Sequence, residues 1–163
     1  MHALTTHSAP IAELLTRHDA DVAVAESSTG GLISASLLAV PGASAYFQGG
    51  SVIYTLASRK EVLRIQREDV AGMDPLTEEM VLAFAKRART QLQTTWGVAE
   101  LGVAGPTGAR YGHPAGISVI GIDGPTPQAR TVNTGSSDRE ENMWAFTQAA
   151  LNLFSEVLQA HYV

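Results

Sequence analysis

The 163-residue sequence contains no cysteine, which excludes disulfide stapling and thiolate chemistry. It has no apolar run long enough to span a bilayer. Its opening, Met1-His2-Ala3-Leu4-Thr5-Thr6-His7, lacks the basic region and apolar core of a signal peptide. These absences fit a cytoplasmic location with no membrane partner. Charged residues are sparse at 17%, against 45% hydrophobic, the balance of a globular chain and not of a disordered one. Basic residues are few and scattered, the net charge is −5, and the one local group is Lys86-Arg87-Arg89. That group lies on a helical stretch with acidic residues upstream and reads as a solvated face. No nucleic-acid partner is expected, because neutralising phosphates needs clustered Lys and Arg. The five histidines, His2, His7, His18, His113 and His161, show no ligand spacing. No metal and no covalent cofactor are expected.

What is present organises around Val22-Ala23-Val24-Ala25-Glu26-Ser27-Ser28-Thr29-Gly30-Gly31. Val22 to Ala25 reads as a central strand. Ser27, Ser28 and Thr29 are helix-capping residues, and Gly30-Gly31 let the backbone approach a ligand closely. Leu32, Ile33, Ser36, Leu37 and Leu38 follow at helical spacing, to about Val40. A strand feeding a hydroxyl-rich helix start is where α/β folds place ligands, and it favours an anion.

The rest of the chain alternates. A short helix enters at Ser8-Ala9-Pro10, with Ile11, Leu14 and Leu15 inward. A second strand is read at Ser51–Thr55 and a short helix at Ala57–Ile65, with Val62, Leu63 and Ile65 inward. A long helix capped at Thr77 reaches about Thr94. A third strand, Gly97–Ala104, runs into the small-residue turn Gly105-Pro106-Thr107-Gly108. Ala115–Ile122 and Ala129–Thr134 form an antiparallel hairpin. Ser136-Ser137-Asp138 caps a last helix whose core face includes Trp144, Leu151, Phe154, Val157 and Leu158. The sum is one α/β domain over residues 1–163, with a mixed sheet of about five strands and helices on both faces. There is no repeat, linker or low-complexity tract.

Ala25-Glu26-Ser27-Ser28-Thr29-Gly30-Gly31, Pro41-Gly42-Ala43-Ser44, Gly49-Gly50, Tyr54-Thr55-Leu56, Gly102-Val103-Ala104-Gly105-Pro106, His113-Pro114-Ala115-Gly116-Ile117 and Ser137-Asp138-Arg139 together resemble the CinA C-terminal-domain family. The likeness covers nearly the whole chain, in order. It implies a serine amidohydrolase that converts nicotinamide mononucleotide to nicotinic acid mononucleotide and ammonia, in the NAD-recycling manner of the stand-alone nicotinamide-nucleotide amidases. It also implies a homodimer. The chain starts directly at this domain, as the stand-alone form does. Carried over, Ser27 is the nucleophile, Tyr54 its assistant, and a lysine shortly after Tyr54 the base. The implied substrate-binding set is Glu26, Thr29, Gly30, Gly31, Arg59, Gly105 and Pro106. Within it, Gly30 and Gly31 offer oxyanion N–H groups and the Gly-Pro loop holds the nucleotide.

Four positions depart from the family pattern. The lysine position falls on Arg59, and arginine is not a general base because it does not deprotonate. Lys60 is adjacent, but neighbouring helix residues point roughly 100° apart, so only a one-residue shift brings it in. Leu56 replaces an asparagine, Leu101 a serine or threonine, and Met143 an arginine of the last helix. Two readings stay open. One is an active amidohydrolase using Ser27 with Lys60 or another base. The other is a non-catalytic relative that binds a small nucleotide or anion, or acts as an oligomeric interaction protein. An inward Lys60 amine favours the first, and an outward lysine with Leu56 and Leu101 walling the pocket favours the second. Glu26, buried after its strand, needs a cation or a backbone N–H as partner.

Overall fold

The computed structural model describes residues 2–163. Five strands form one sheet: β1 (Val22–Glu26), β2 (Phe47–Val52), β3 (Trp96–Val103), β4 (Ile117–Asp123) and β5 (Gln128–Asn133). Their order is β2-β1-β3-β4-β5. β1 runs parallel to β2 and β3, while β3-β4 and β4-β5 are antiparallel. The helices are α1 (Ala9–Arg17), α2 (Leu32–Leu38), α3 (Leu56–Glu61), α4 (Glu78–Leu92) and α5 (Arg139–Tyr162).

Two apolar cores sit on opposite faces of the sheet. On one, Ile11 and Leu15 of α1, Ile33 and Leu37 of α2, and Leu151 and Phe154 of α5 pack on Val22, Val24, Trp96 and Val98. On the other, Val81, Phe84, Ala85 and Ala88 of α4 pack on Ala23, Ala25, Ala99 and Leu101. The small side chains let α4 lie close to the strands. At Gly97 a Cβ would sit 2.1 Å from the Ala85 carbonyl oxygen, so any side chain there forces the helix off the sheet.

Capping chemistry sets the helix starts. Thr77 accepts the Met80 N–H at 3.2 Å, and Asp138 accepts that of Glu141 at 3.0 Å. Two expected boundaries move. The second strand is Phe47–Val52 instead of 51–55, because Gly49 and Gly50 belong to the strand itself. A Cβ on Gly50 would lie 2.3 Å from Ser34 Oγ, so glycine there admits α2 and does not mark a turn. Thr55 then leaves the strand to cap α3, accepting the Ser58 N–H at 3.1 Å. α3 ends at Glu61 and not near Ile65, and Arg64 follows in the left-handed region at φ 59°. Of the three residues expected inward there, Leu63 is buried, Ile65 half-buried and Val62 exposed.

The chain leaves β1 toward β2 on one side and returns to β3 on the other. The carboxyl ends of these parallel strands therefore open a crevice at the β1/β3 switch point, where open α/β sheets bind ligands. Among the described residues, no helix is long and apolar enough to cross a membrane.

Candidate functional site

A cavity of about 580 Å³ opens above the ends of β1 and β3. Ser27 and Ser28 lie at the β1 end, and Gly102 to Gly105 continue β3 beside them. Tyr54, Thr55 and Arg59 come from the start of α3, Thr107 to Tyr111 from the loop after Gly105, and Arg139 from the first turn of α5.

Three guanidinium groups line this space, those of Arg59, Arg110 and Arg139. Among the described residues, none of them is paired with a carboxylate. Arg59 donates from Nε to the Ile53 carbonyl oxygen at 3.3 Å and stacks over the Phe84 ring at 5.3 Å. Burial pushes its guanidinium below the ordinary arginine value, and Tyr111 and Glu100 oppose that. Arg139 donates to the Gly105 carbonyl oxygen and, at 3.2 Å, to the Tyr54 hydroxyl. Arg59 is thus partly buried with no carboxylate partner among the described residues, which favours an incoming anion, while Arg110 and Arg139 stand exposed at the cavity rim.

Beneath the serines lie two buried carboxyl groups, Glu26 and Glu100, which are direct partners across β1 and β3. Among the described residues, no Lys, Arg or His is within ion-pair distance of either. Glu26 Oε1 accepts the N–H groups of Gly31 at 2.8 Å and Ile33 at 3.1 Å. Its Oε2 accepts the N–H and hydroxyl of Ser34 at 2.9 and 2.8 Å. Glu26 is thus the cap of α2. Glu100 Oε2 accepts the N–H groups of Ser27 and Thr29, both at 3.1 Å. Its Oε1 faces hydroxyls only, those of Ser28 and, at 3.1 Å, Ser118. Burial pushes the Glu100 carboxyl above the usual carboxylate range, against the lowering effect of the hydrogen bonds from Ser28, Thr29 and Ser27. The Thr29 hydroxyl stands between the two groups, 2.7 Å from Glu26 Oε1 and 3.0 Å from Glu100 Oε2.

The structure brings Ser27, Tyr54, Arg59 and Gly105 together around the cavity. Glu26 and Thr29 lie behind it, fully buried. The N–H groups expected to form an oxyanion site are engaged: that of Gly30 with the Ser27 carbonyl oxygen at 3.1 Å, that of Gly31 with Glu26. Pro106 is outside the lining. So is Lys60, whose side chain is 78% exposed with its amine 3.9 Å from Glu61. With Thr55 fixing the start of α3, Arg59 takes the inward position, and its neighbour points away. Leu56, 81% exposed, and Leu101, buried under α4, do not wall the pocket. Met143 packs its terminal methyl against Gly30. No Ser27 Oγ hydrogen bond occurs among the described residues, although Ser27 lines the cavity. Also among the described residues, no group of three or more His, Asp or Glu is placed to hold a metal.

Sequence reasoning missed Glu100, Arg110, Arg139 and the hydrogen bond from Ser28 to Glu100. The signal for Glu100 was one carboxylate in the apolar run Val98-Ala99-Glu100-Leu101. Such a residue in a buried strand needs dedicated donors.

The sequence profile of the CinA C-terminal domain matches residues 4–158. The chain belongs to this family. A putative competence-damage inducible protein of Moorella thermoacetica is 35% identical over 158 residues, 96% of this chain and 37% of that protein. Another, of Halothermothrix orenii, is 32% identical over 86% of this chain and 34% of its own length. The chain thus spans about a third of the length of these curated relatives. Among solved structures, the competence damage-inducible protein A of Klebsiella pneumoniae superposes with a TM-score of 0.89 at 24% identity, covering 99% of this chain and all of that one. A competence/damage inducible protein of Agrobacterium tumefaciens gives 0.86 at 25% identity, covering 98% and 99%. The fold of these CinA structures therefore extends over nearly the whole described chain.

Proposed function

We propose that this CinA domain binds a small phosphorylated nucleotide, of the pyridine mononucleotide class, in the cavity above β1 and β3. The observation that carries the reading is the trio of arginines around one space, Arg59, Arg110 and Arg139, none with a carboxylate partner among the described residues. Charge-assisted contacts from arginine suit a phosphate, and Tyr54 offers a ring and a hydroxyl for the rest of the ligand. The cavity volume is within the usual range of small-molecule sites.

Amide hydrolysis of that nucleotide is the second reading. Two serine side chains at the cavity floor favour it. A lysine base does not support it: Arg59 occupies the inward position and Lys60 is exposed. The test combines both readings in one sample. Nicotinamide mononucleotide is added, the melting temperature is recorded, and ammonia is followed over hours. A rise in melting temperature that is weaker in Arg139→Ala is expected for binding. No rise at millimolar nucleotide overturns the binding reading. Ammonia release above the no-protein control separates an amidase from a binding-only relative.

A further inference from the structure

We propose that Ser28 is a hydrolytic nucleophile and Glu100 its general base. Together they give the cavity a reaction centre for small carboxamides or esters that carry an anionic tail. The tail rests on the nucleotide reading above, while the reaction centre stands on its own geometry.

A serine hydroxyl attacks only when a neighbour takes its proton. Of the two serines at the cavity floor, Ser28 has such a neighbour. Its Oγ donates to Glu100 Oε1, while Ser27 Oγ meets no acceptor among the described residues. The two oxygens of Glu100 are not equivalent. Oε2 is held by two backbone N–H groups, so the carboxyl cannot turn. Oε1 meets only Ser28 and Ser118, whose hydroxyls accept as well as donate. Oε1 therefore has room for an incoming proton.

Ser28 lines the ligand space, and Glu100 lies buried directly beneath it. Gly102 lines the cavity, and a Cβ there would lie 2.5 Å from Ser28 Oγ and 2.6 Å from Glu100 Oε1. Glycine at this position is what lets the Ser28–Glu100 hydrogen bond form beside β3, because any side chain there would fall on it. The charged groups around Glu100 are Glu26 on β1 and, more distantly, Arg59 on α3. β4 contributes Ser118, and the Phe146 ring of α5 lies on the Gly102 side. Among the described residues no cation contacts this carboxylate, and burial strengthens it as a base.

The step balances with water as the only co-reactant. Ser28 Oγ forms a bond to the acyl carbon as its proton passes to Glu100 Oε1, and the carbonyl π-pair moves to oxygen. The pair returns, the C–N or C–O bond breaks, and the leaving group takes the proton from Glu100. Water then attacks the acyl-Ser28 ester, gives a proton to Glu100, and Ser28 leaves as that proton returns to it. The net change is amide plus water to acid plus ammonia.

The test needs no natural substrate. Wild-type protein is treated with diisopropyl fluorophosphate and the adduct is located by peptide mass spectrometry. The expected product is a Ser28 Oγ–P bond, with fluoride expelled and the proton taken by Glu100. An adduct on Ser27 or Tyr54, or no adduct, overturns the proposal. Glu100→Gln, checked for a cooperative melting transition, is expected to label about 100-fold more slowly. An unchanged rate overturns the base assignment. If that variant does not fold, the wild-type pH profile replaces it. A labelling rate that rises with loss of one proton to a plateau supports Glu100, and strict proportionality to hydroxide contradicts it. Nicotinamide mononucleotide binding, measured on the same samples, is a separate readout. Its failure with Ser28 labelled removes the nucleotide and leaves the reaction centre, and the converse removes the reaction centre alone.

Discussion

Glu26 and Glu100 are the same residue type, fully buried, side by side on neighbouring parallel strands and bridged by one threonine hydroxyl. Yet they serve different ends of the same loop. Both oxygens of Glu26 face backbone N–H groups at the start of α2. Glu100 gives one oxygen to the backbone and the other to the hydroxyls of Ser28 and Ser118. A carboxyl saturated by N–H donors is a structural cap. One that meets hydroxyls on one side can exchange a proton without losing a partner.

Amide substitution separates the two most sharply. In Glu26→Gln the new NH2 group points at an N–H donor in either orientation. That leaves a buried donor unpaired at a cost of about 1–3 kcal/mol, read as a lower urea midpoint. Glu100→Gln has a fitting orientation, with its oxygen toward the Ser27 and Thr29 N–H groups and its NH2 toward Ser28 and Ser118. Its stability loss is expected to stay below about 1 kcal/mol. Equal losses in the two variants would erase the distinction.

Gly102→Ala comes next. A methyl there falls on the Ser28–Glu100 hydrogen bond and approaches Phe146. A loss of about 1–3 kcal/mol by overpacking is expected, together with slower Ser28 labelling. A fully stable variant with wild-type labelling contradicts the described geometry.

The pH dependence of stability is a smaller effect. Burial raises the folded-state pKa of Glu100 above its unfolded value. The native protein therefore binds this proton more readily than the unfolded chain. The resulting stabilisation is fully present below the ordinary carboxylate range and is lost as pH rises through the raised value. Wild type should thus lose stability relative to Glu100→Gln as pH increases through that window, in paired urea titrations. Parallel curves would contradict it. Least affected is Lys60→Ala, expected within about 0.5 kcal/mol of wild type because its amine is in solvent.

The architecture was legible because each element carries a local signal. Pro10, Thr77 and Asp138 mark helix starts, and the apolar run Val22–Ala25 marks the central strand. The edge strand β2 was shifted because Gly49-Gly50 looks like a turn until Ser34 of α2 is seen against it. The site was less legible, since its decisive contacts cross the sheet. Nothing local tells that Glu100 lies opposite Glu26 and under Ser28, because that register is set by β1–β3 pairing. The Arg59–Lys60 choice hung on a single residue of helix phase, fixed by the Thr55 cap. Arg110 and Arg139 come from the loop after β3 and the first turn of α5, and only the fold brings them to one space.

The central claim is that the arginine-lined cavity recognises a phosphate, and calorimetric titration tests it most directly. Nicotinamide mononucleotide and nicotinamide riboside, which lacks the phosphate, would be titrated at the same ionic strength. Binding of the mononucleotide is expected to be at least about 30-fold tighter, corresponding to about 2 kcal/mol of charge-assisted contact, with most of that advantage lost in Arg139→Ala. Equal affinity for the two ligands, or binding of neither, would contradict it.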